Sequence, residues 1–158
     1  MSVTLAPTAF LIRPLGAVIG ADVEGVDLAA LDDAAFAAIA QAWAAHLVLR
    51  FRDQTLTDVD LMNFSRRIGT LDRIPIRAAG TVMIEDPRLA IAPDAAAYVS
   101  VISNAKIGGK AIGGLGNYES HWHTDMSYNE IPPMASVLYG IEVPPSGGNT
   151  SFANMYAA

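Results

Sequence analysis

Short apolar runs separated by turn-forming residues open the chain and predict strands near its N-terminal end. The run at residues 9–13 is ended by Pro14, and the run at residues 17–19 is ended by Gly20. Short apolar runs that end at proline or glycine are typical of short strands followed by turns. Residues 47–52 (LVLRFR) then largely alternate apolar and basic side chains, which predicts a third strand.

Two helices are predicted from apolar residues that recur with the 3.6-residue period. The first begins at Asp32 and Asp33, whose carboxylates can cap free N–H groups and suit the positive end of the helix dipole. The second begins at Thr57, which approximates a capping box with Asp60, and we expect Gly69 to end it. The apolar faces expected to be buried comprise Phe36, Ile39, Ala40, Trp43 and Leu47 in the first helix, and Leu61, Phe64 and Ile68 in the second.

The second half of the chain is dominated by predicted strands and turns. Residues 72–97 contain three prolines, which argue against a long helix. Residues 98–103 (YVSVIS) predict a strand, and the Gly-rich residues 105–118 favour a mobile loop over a phosphate-binding one, because no strand–turn–helix context follows. Residues 121–128 and 135–141 are strand-like. We therefore predict an α+β fold in which an N-terminal mixed portion leads into an antiparallel sheet within one domain spanning residues 1–158.

Composition narrows the functional class. The net charge is −6, and the sequence has no stripe of basic residues of the kind that binds nucleic acid, which argues against a nucleic-acid-binding protein. The absence of cysteine excludes disulfides, thiolate nucleophiles and zinc–thiolate sites, and it fits a reducing compartment. The sequence contains neither a secretory leader nor an apolar run of the ~20 residues that span a bilayer. These features favour a cytoplasmic enzyme or binding domain whose partner is a small molecule.

The segment His121-Trp-His-Thr-Asp-Met-Ser-Tyr carries the candidate chemistry. On a strand, His123 and Asp125 would lie on the same face with Cβ atoms ~7 Å apart, so an imidazole nitrogen and a carboxylate oxygen could meet on one ion. One neutral and one anionic ligand are typical of the two-histidine, one-carboxylate site of non-haem iron(II). The alternative is an ordinary His–Asp hydrogen bond on a sheet face.

Several motifs around this pair resemble those of the taurine dioxygenase (TauD/TfdA) family. They are Trp122-His-x-Asp125, Pro132-Pro133, the Gly147-Gly148-x-Thr150 turn, Pro14-Leu15-Gly16, Gly25-Val26-Asp27-Leu28 and Arg52-Asp53-Gln54. The resemblance covers nearly the whole chain. It implies a double-stranded β-helix (jelly roll) with N-terminal helices, incomplete at the C-terminus. The implied function is a dioxygenase that oxidises a small organic substrate and releases succinate and CO2.

The same resemblance implies the cofactors iron(II) and 2-oxoglutarate. It makes His123 and Asp125 metal ligands, and it makes Thr150 the hydroxyl that binds the distal carboxylate of 2-oxoglutarate. The family's third ligand, a histidine, and its 2-oxoglutarate-binding arginine are expected beyond Ala158. Neither His121 nor His46 is expected to replace that histidine, because strand spacing separates His121 from the site and His46 ends a helix.

The substrate is less defined. Ile74 stands about where taurine-specific members carry a sulfonate-binding histidine, so taurine is not the expected substrate. We consider Glu119, His121 and Arg77 as candidate substrate contacts, and Arg73 together with Arg77 as candidates for an anionic group, although solvated surface arginines are the alternative.

Two other readings remain open. One is a non-catalytic jelly-roll domain that keeps the family scaffold and binds a partner or small acid. The other is a cupin-like zinc hydrolase using His121, His123 and Asp125. Residues 152–158 are typical of the start of a helix. An incomplete jelly roll would expose unpaired strand edges, and these could pair with a second copy of the chain to form a homo-oligomer.

Overall fold

The computed structural model describes residues 10–16, 18–73, 91–111, 114–115 and 121–158. They form two compact units, described separately below. The first comprises Met1–Leu56 with Val143–Ala158, and the second comprises Thr57–Glu142. Neither α-helix in the described part of the chain combines the length and the apolar composition that spanning a membrane requires.

A three-stranded sheet forms the first unit. β1 (Leu11–Pro14) pairs antiparallel with β2 (Ala21–Glu24), and β2 pairs in parallel with β3 (Leu49–Phe51). Ala21 and Val23 are fully buried while the residues between them are half-buried, so β2 supplies the core face of the sheet.

The second strand lies later in the chain than we predicted. Val18 and Ile19 lie in a bend, so the strand expected at residues 17–19 is wrong at these two positions, and residue 17 lies outside the described residues. Gly20 adopts φ 91, a backbone conformation that favours glycine, and its carbonyl accepts a hydrogen bond from the Leu15 amide at 2.9 Å. Val18 and Ile19 therefore belong to the β1–β2 connection, and β2 begins after Gly20.

α1 (Asp33–His46) follows a short 3-10 turn and begins where the sequence predicts. Asp32 caps it by accepting from the Ala35 amide at 2.7 Å. The buried residues are Ile39 and Ala42, whereas Ala40 is exposed, so the predicted face is wrong at that position. Leu47 follows the last residue of the helix and has φ 65, and its carbonyl accepts from Trp43 Nε1 at 2.9 Å.

The Gln54 side chain links two of the sequence motifs in this unit. Its Nε2 donates to the carbonyls of Val26 at 2.8 Å and Arg52 at 2.7 Å, and its Oε1 accepts from the Leu28 amide at 3.0 Å. Because Gln54 binds the chain after β2 to the chain after β3, the Gly25–Leu28 and Arg52–Gln54 motifs have a structural explanation independent of any ligand.

The second unit opens with α2 (Asp58–Ile68), whose predicted capping box is present. Thr57 Oγ1 accepts from the Asp60 amide at 3.2 Å, and Asp60 Oδ2 accepts from the Thr57 amide at 2.9 Å. The Thr57 hydroxyl and amide together lower the pKa of the Asp60 carboxyl. Gly69 follows the last residue of the helix, as expected, and it has an extended backbone conformation.

The buried face of α2 also differs in detail from the prediction. Met62 and Phe64 are buried, while Leu61 and Ile68 are half-buried. Asp58 Oδ2 accepts from the Ala92 amide at 2.8 Å, which attaches the turn at residues 93–98 to the start of the helix.

Four short strands follow, in two pairs. β4 (Ile102–Ser103) pairs in parallel with β7 (Gly114–Leu115), and β5 (Lys106–Ile107) pairs antiparallel with β6 (Lys110–Ala111). The strand predicted at residues 98–103 is thus confined to its last two residues, since only Ile102 and Ser103 have a pairing partner. The Gly-rich segment contains a hairpin rather than only a loop, since Gly108 and Gly109 both have positive φ, as a tight hairpin turn requires.

Residues 121–158 contain no helix and no paired strand. The strand predictions for 121–128 and 135–141 and the helix start at 152–158 are therefore wrong for this structure, because an extended segment becomes a strand only when a neighbour completes its hydrogen bonds. Residues 135–140 nevertheless alternate between half-buried and exposed. The exposed large apolar side chains of this segment are Trp122, Tyr128, Ile131, Met134, Leu138, Ile141, Val143, Phe152, Met155 and Tyr156.

Candidate metal centre

A turn, rather than a strand, brings the two candidate metal ligands together in the second unit. Asp125 opens a turn at residues 125–128, and Met126 within it has φ 49. The Met126 carbonyl accepts from the Asn129 amide at 3.0 Å, which closes the turn. His123 Nε2 and Asp125 Oδ1 lie 3.1 Å apart, within hydrogen-bonding distance.

The His121 backbone determines which nitrogen of His123 carries a proton. His123 Nδ1 lies 2.7 Å from the His121 carbonyl oxygen, which can only accept a hydrogen bond. Nδ1 is therefore protonated, and in the neutral ring Nε2 presents a lone pair. That lone pair faces Asp125 Oδ1, which is itself an acceptor.

Two facing acceptors at 3.1 Å need a positive charge between them. A proton is one solution: the hydrogen bond to the His121 carbonyl, followed by that to the Asp125 carboxylate, raises the pKa of His123. A divalent metal is the other, since a nitrogen and an oxygen each about 2.1 Å from one ion at right angles lie roughly 3.0 Å apart. The observed spacing fits both, and a proton and a metal would compete for Nε2.

Ser136 completes the hydrogen bonding of the Asp125 carboxylate. Its Oγ donates to Asp125 Oδ2 at 2.7 Å, while Oδ1 faces His123. This serine was not identified from the sequence. The available signal was a serine within the alternating, largely apolar run that begins at Ala135, but its pairing with a residue 11 positions away required the structure.

The pair is open to solvent, and the described residues supply no third ligand. The side chains of His123 and Asp125 are each 56% exposed. Across the described ranges, no group of three His, Asp or Glu side chains is placed to hold a metal. His121 contributes its backbone carbonyl and an exposed ring, so the three-ligand site required by the zinc-hydrolase reading is not assembled.

Thr150 lies in the first unit, on an exposed stretch that follows two glycines. Gly147 and Gly148 have φ 76 and 63, so both adopt a backbone conformation that disfavours other residues. A Cβ at Gly148 would also lie 3.1 Å from Pro144 Cγ. The predicted glycine turn before Thr150 is therefore a real backbone requirement, whereas the role of the Thr150 hydroxyl stays a prediction.

The candidate substrate residues are placed only in part. Arg77, Glu119 and Ile74 lie outside the described residues, and His121 is exposed. The Arg73 guanidinium lies 5.9 Å from the centroid of the Tyr98 ring, a cation–π contact that gives this arginine a structural explanation. Tyr98 also borders a shallow cleft of about 340 Å³ in the second unit, lined further by Arg66, Gly69, Thr70 and Leu71.

Comparison with known proteins points to one family. The model of the family described as "Taurine catabolism dioxygenase TauD, TfdA family" matches residues 11–158. An (S)-phenoxypropionate/alpha-ketoglutarate-dioxygenase of Delftia acidovorans is 34% identical over 160 residues, covering 96% of this chain and 48% of that protein. The enzyme of the same name from Sphingobium herbicidovorans is 35% identical over 150 residues, covering 95% and 47%.

Among solved structures, a crystal structure of a taurine dioxygenase from Burkholderia xenovorans is similar to part of the chain. It is 38% identical, with a TM-score of 0.38, over 42% of this chain and 26% of that one. The chain thus spans about half the length of the curated relatives it matches.

Proposed function

This chain belongs to the TauD/TfdA family of dioxygenases, and from that premise we propose that the protein is a non-haem iron(II)- and 2-oxoglutarate-dependent dioxygenase. It oxidises a small organic substrate and releases succinate and CO2. The observation that carries the proposal is the 3.1 Å approach of His123 Nε2 to Asp125 Oδ1, in the Trp-His-x-Asp motif of a chain assigned to this family. The family uses iron(II) and 2-oxoglutarate, and the donor pair suits that metal.

His123 and Asp125 would hold the metal through Nε2 and Oδ1. Bound iron(II) supplies a centre at which oxygen and 2-oxoglutarate react, coupling oxidation of the 2-oxo acid to oxidation of the substrate. The protein's own contribution is orientation. The His121 carbonyl fixes the His123 tautomer so that the Nε2 lone pair is available, and the turn at Asp125 sets the carboxylate beside it.

We propose that the complete domain is the double-stranded β-helix expected for the family, and that residues 1–158 form its N-terminal portion. The alternating burial of residues 135–140 supports this, because it is the pattern of a strand with one covered face. The exposed apolar side chains of residues 121–158 would then be covered by the polypeptide that relatives carry over the other half of their length. The third histidine and the 2-oxoglutarate-binding arginine would come from that same half.

Thr150 is proposed to bind the distal carboxylate of 2-oxoglutarate. A hydroxyl can donate to an anionic oxygen, and the two positive-φ glycines before it allow the backbone to approach a ligand closely. Thr150→Ala in the full-length protein should weaken 2-oxoglutarate binding by roughly 1.5–3 kcal/mol, the range for one hydrogen bond to a charged group. We expect this as a raised apparent KM for 2-oxoglutarate.

The metal affinity of Thr150→Ala is the internal control. Thr150→Ser, which keeps the hydroxyl, is the matched control variant. Thr150→Ala should bind metal normally, and Thr150→Ser should bind 2-oxoglutarate nearly as tightly as the wild type. An unchanged KM in the alanine variant would reduce Thr150 to a turn residue.

The substrate is proposed to be a small organic acid other than taurine. The two curated relatives described above are named for (S)-phenoxypropionate, and Ile74 here lacks the donor that a sulfonate-binding histidine would provide. Arg77, Glu119 and His121 remain proposed substrate contacts. The protein is proposed to be cytoplasmic, and a homo-oligomer is compatible with its exposed apolar surface.

The direct test is succinate formation by the full-length protein with iron(II), oxygen and 2-oxoglutarate. (S)-2-Phenoxypropionate should stimulate succinate release more than taurine does, and omission of iron(II) should stop it. The rival function, a binding domain that keeps the scaffold, predicts no succinate and no visible absorption band when iron(II) and 2-oxoglutarate are added together. Absence of both succinate and the absorption band would show that the protein is not a 2-oxoglutarate-dependent dioxygenase.

A further inference from the structure

The Asp125 carboxylate is held by two different neighbours, one on each oxygen. Oδ2 accepts a hydrogen bond from Ser136 Oγ at 2.7 Å, and Oδ1 lies 3.1 Å from His123 Nε2. The two oxygens are therefore not equivalent, and only Oδ1 is directed toward the histidine.

This asymmetry matters because a carboxylate can bind a metal through one oxygen or through both. An octahedral ion with three protein ligands keeps three positions for other ligands. A carboxylate that used both oxygens would occupy one of those positions and compete with a chelating cosubstrate. A hydroxyl that donates to Oδ2 occupies one of that oxygen's two lone pairs and opposes rotation of the carboxylate toward two-oxygen binding.

The backbone gives Ser136 this position without a helix or a turn of its own. It lies in residues 135–140, whose side chains alternate between half-buried and exposed, and it is an exposed residue between the half-buried Ala135 and Val137. Successive side chains of an extended segment point to opposite faces, so the apolar neighbours anchor the chain while the hydroxyl extends toward Asp125.

We propose that Ser136 is a positioning residue that keeps Asp125 a one-oxygen metal ligand. This inference rests on the proposed function, since it requires that Asp125 binds the metal. Neighbouring groups that donate hydrogen bonds to a ligating carboxylate typically affect metal affinity by about 10- to 100-fold. The site is exposed, so water can partly replace the hydroxyl, and we expect the lower end of that range.

The test is Mn(II) binding to the full-length protein, followed by electron paramagnetic resonance of free Mn(II). Ser136→Thr and Ser136→Val form a matched pair, because threonine and valine have nearly the same shape and only threonine has the hydroxyl. We expect Ser136→Val and Ser136→Ala to weaken Mn(II) binding about tenfold, and Ser136→Thr to bind like the wild type. Ser127→Ala, at an exposed serine of the Asp125 turn, should change nothing.

A second readout separates positioning from general stability. The visible absorption formed by iron(II) and 2-oxoglutarate should be weakened or shifted in Ser136→Val and retained in Ser136→Thr. Melting temperatures of the two variants should agree. Equal Mn(II) affinity and equal absorption in the Thr and Val variants would overturn the role of Ser136.

Asp125→Ala distinguishes failure of this inference from failure of the proposed function. If Asp125→Ala loses Mn(II) while the Thr and Val variants behave alike, only the role of Ser136 is wrong. If Asp125→Ala binds Mn(II) like the wild type, Asp125 is not a ligand, and both the inference and the proposed site fail.

Discussion

Replacing His123 or Asp125 with alanine should abolish iron-dependent turnover in the full-length protein and leave its fold largely intact. Each change removes one of the two metal ligands proposed in this chain, so the centre should no longer hold iron(II). Both side chains are 56% exposed, so neither substitution removes buried apolar volume and the loss of folding stability should be small. Iron content after gel filtration and succinate formation are the measurements, with circular dichroism to check the fold.

Suitable controls are a histidine and an aspartate outside the pair. His46→Ala, in the last turn of α1, and Asp72→Ala, at an exposed position of the second unit, should retain iron and activity. The His46 change should cost at most about 1 kcal/mol of stability through the helix dipole. Full iron stoichiometry together with 2-oxoglutarate consumption in either His123→Ala or Asp125→Ala would rule out this metal centre.

A polypeptide of residues 1–158 alone should form no succinate and should aggregate. Within the described residues no third ligand is available, and two ligands hold a divalent metal weakly and without a defined geometry. Large apolar side chains of residues 121–158 are exposed, among them Trp122 at 73%, Ile131 at 83% and Tyr156 at 91%. Many large apolar side chains exposed to water in this way favour association.

The comparison protein for that experiment is the Delftia acidovorans dioxygenase, assayed beside the 158-residue chain with iron(II), 2-oxoglutarate and (S)-2-phenoxypropionate. Light scattering and dye binding to apolar surface would report aggregation. Robust turnover by residues 1–158 would contradict the two-ligand argument, and the search for a third ligand would begin at His121.

Features held by contacts over a few residues could be predicted from the sequence. The caps of both helices are examples: Asp32 binds the amide three residues later, and Thr57 and Asp60 bind each other reciprocally. Such bonds form within one turn of chain, so residue type and spacing determine them. The family assignment was also available from short motifs and is confirmed by the family match over residues 11–158.

Features that depend on distant residues could not be read in this way. Residues 121–128 have the composition of a strand, yet no neighbouring strand pairs with them, and residues 125–128 form a turn instead. Likewise, residues 17–19 are as apolar as a strand, but it is the pairing of β2 with both β1 and β3 that places the strand after Gly20. Strand identity depends on a partner, and a pattern of side chains does not contain the partner's position.

The candidate metal centre shows the same division. A histidine and an aspartate two residues apart in a family motif could be recognised as candidate ligands from residue order alone. The hydrogen bonds around them could not: His123 Nδ1 lies against the His121 carbonyl, Nε2 faces Asp125 Oδ1, and Ser136 binds Oδ2 from 11 residues away. The physical reason is that a hydrogen bond requires atoms to be about 3 Å apart in a particular direction, and residue spacing fixes that only within a turn or a helix.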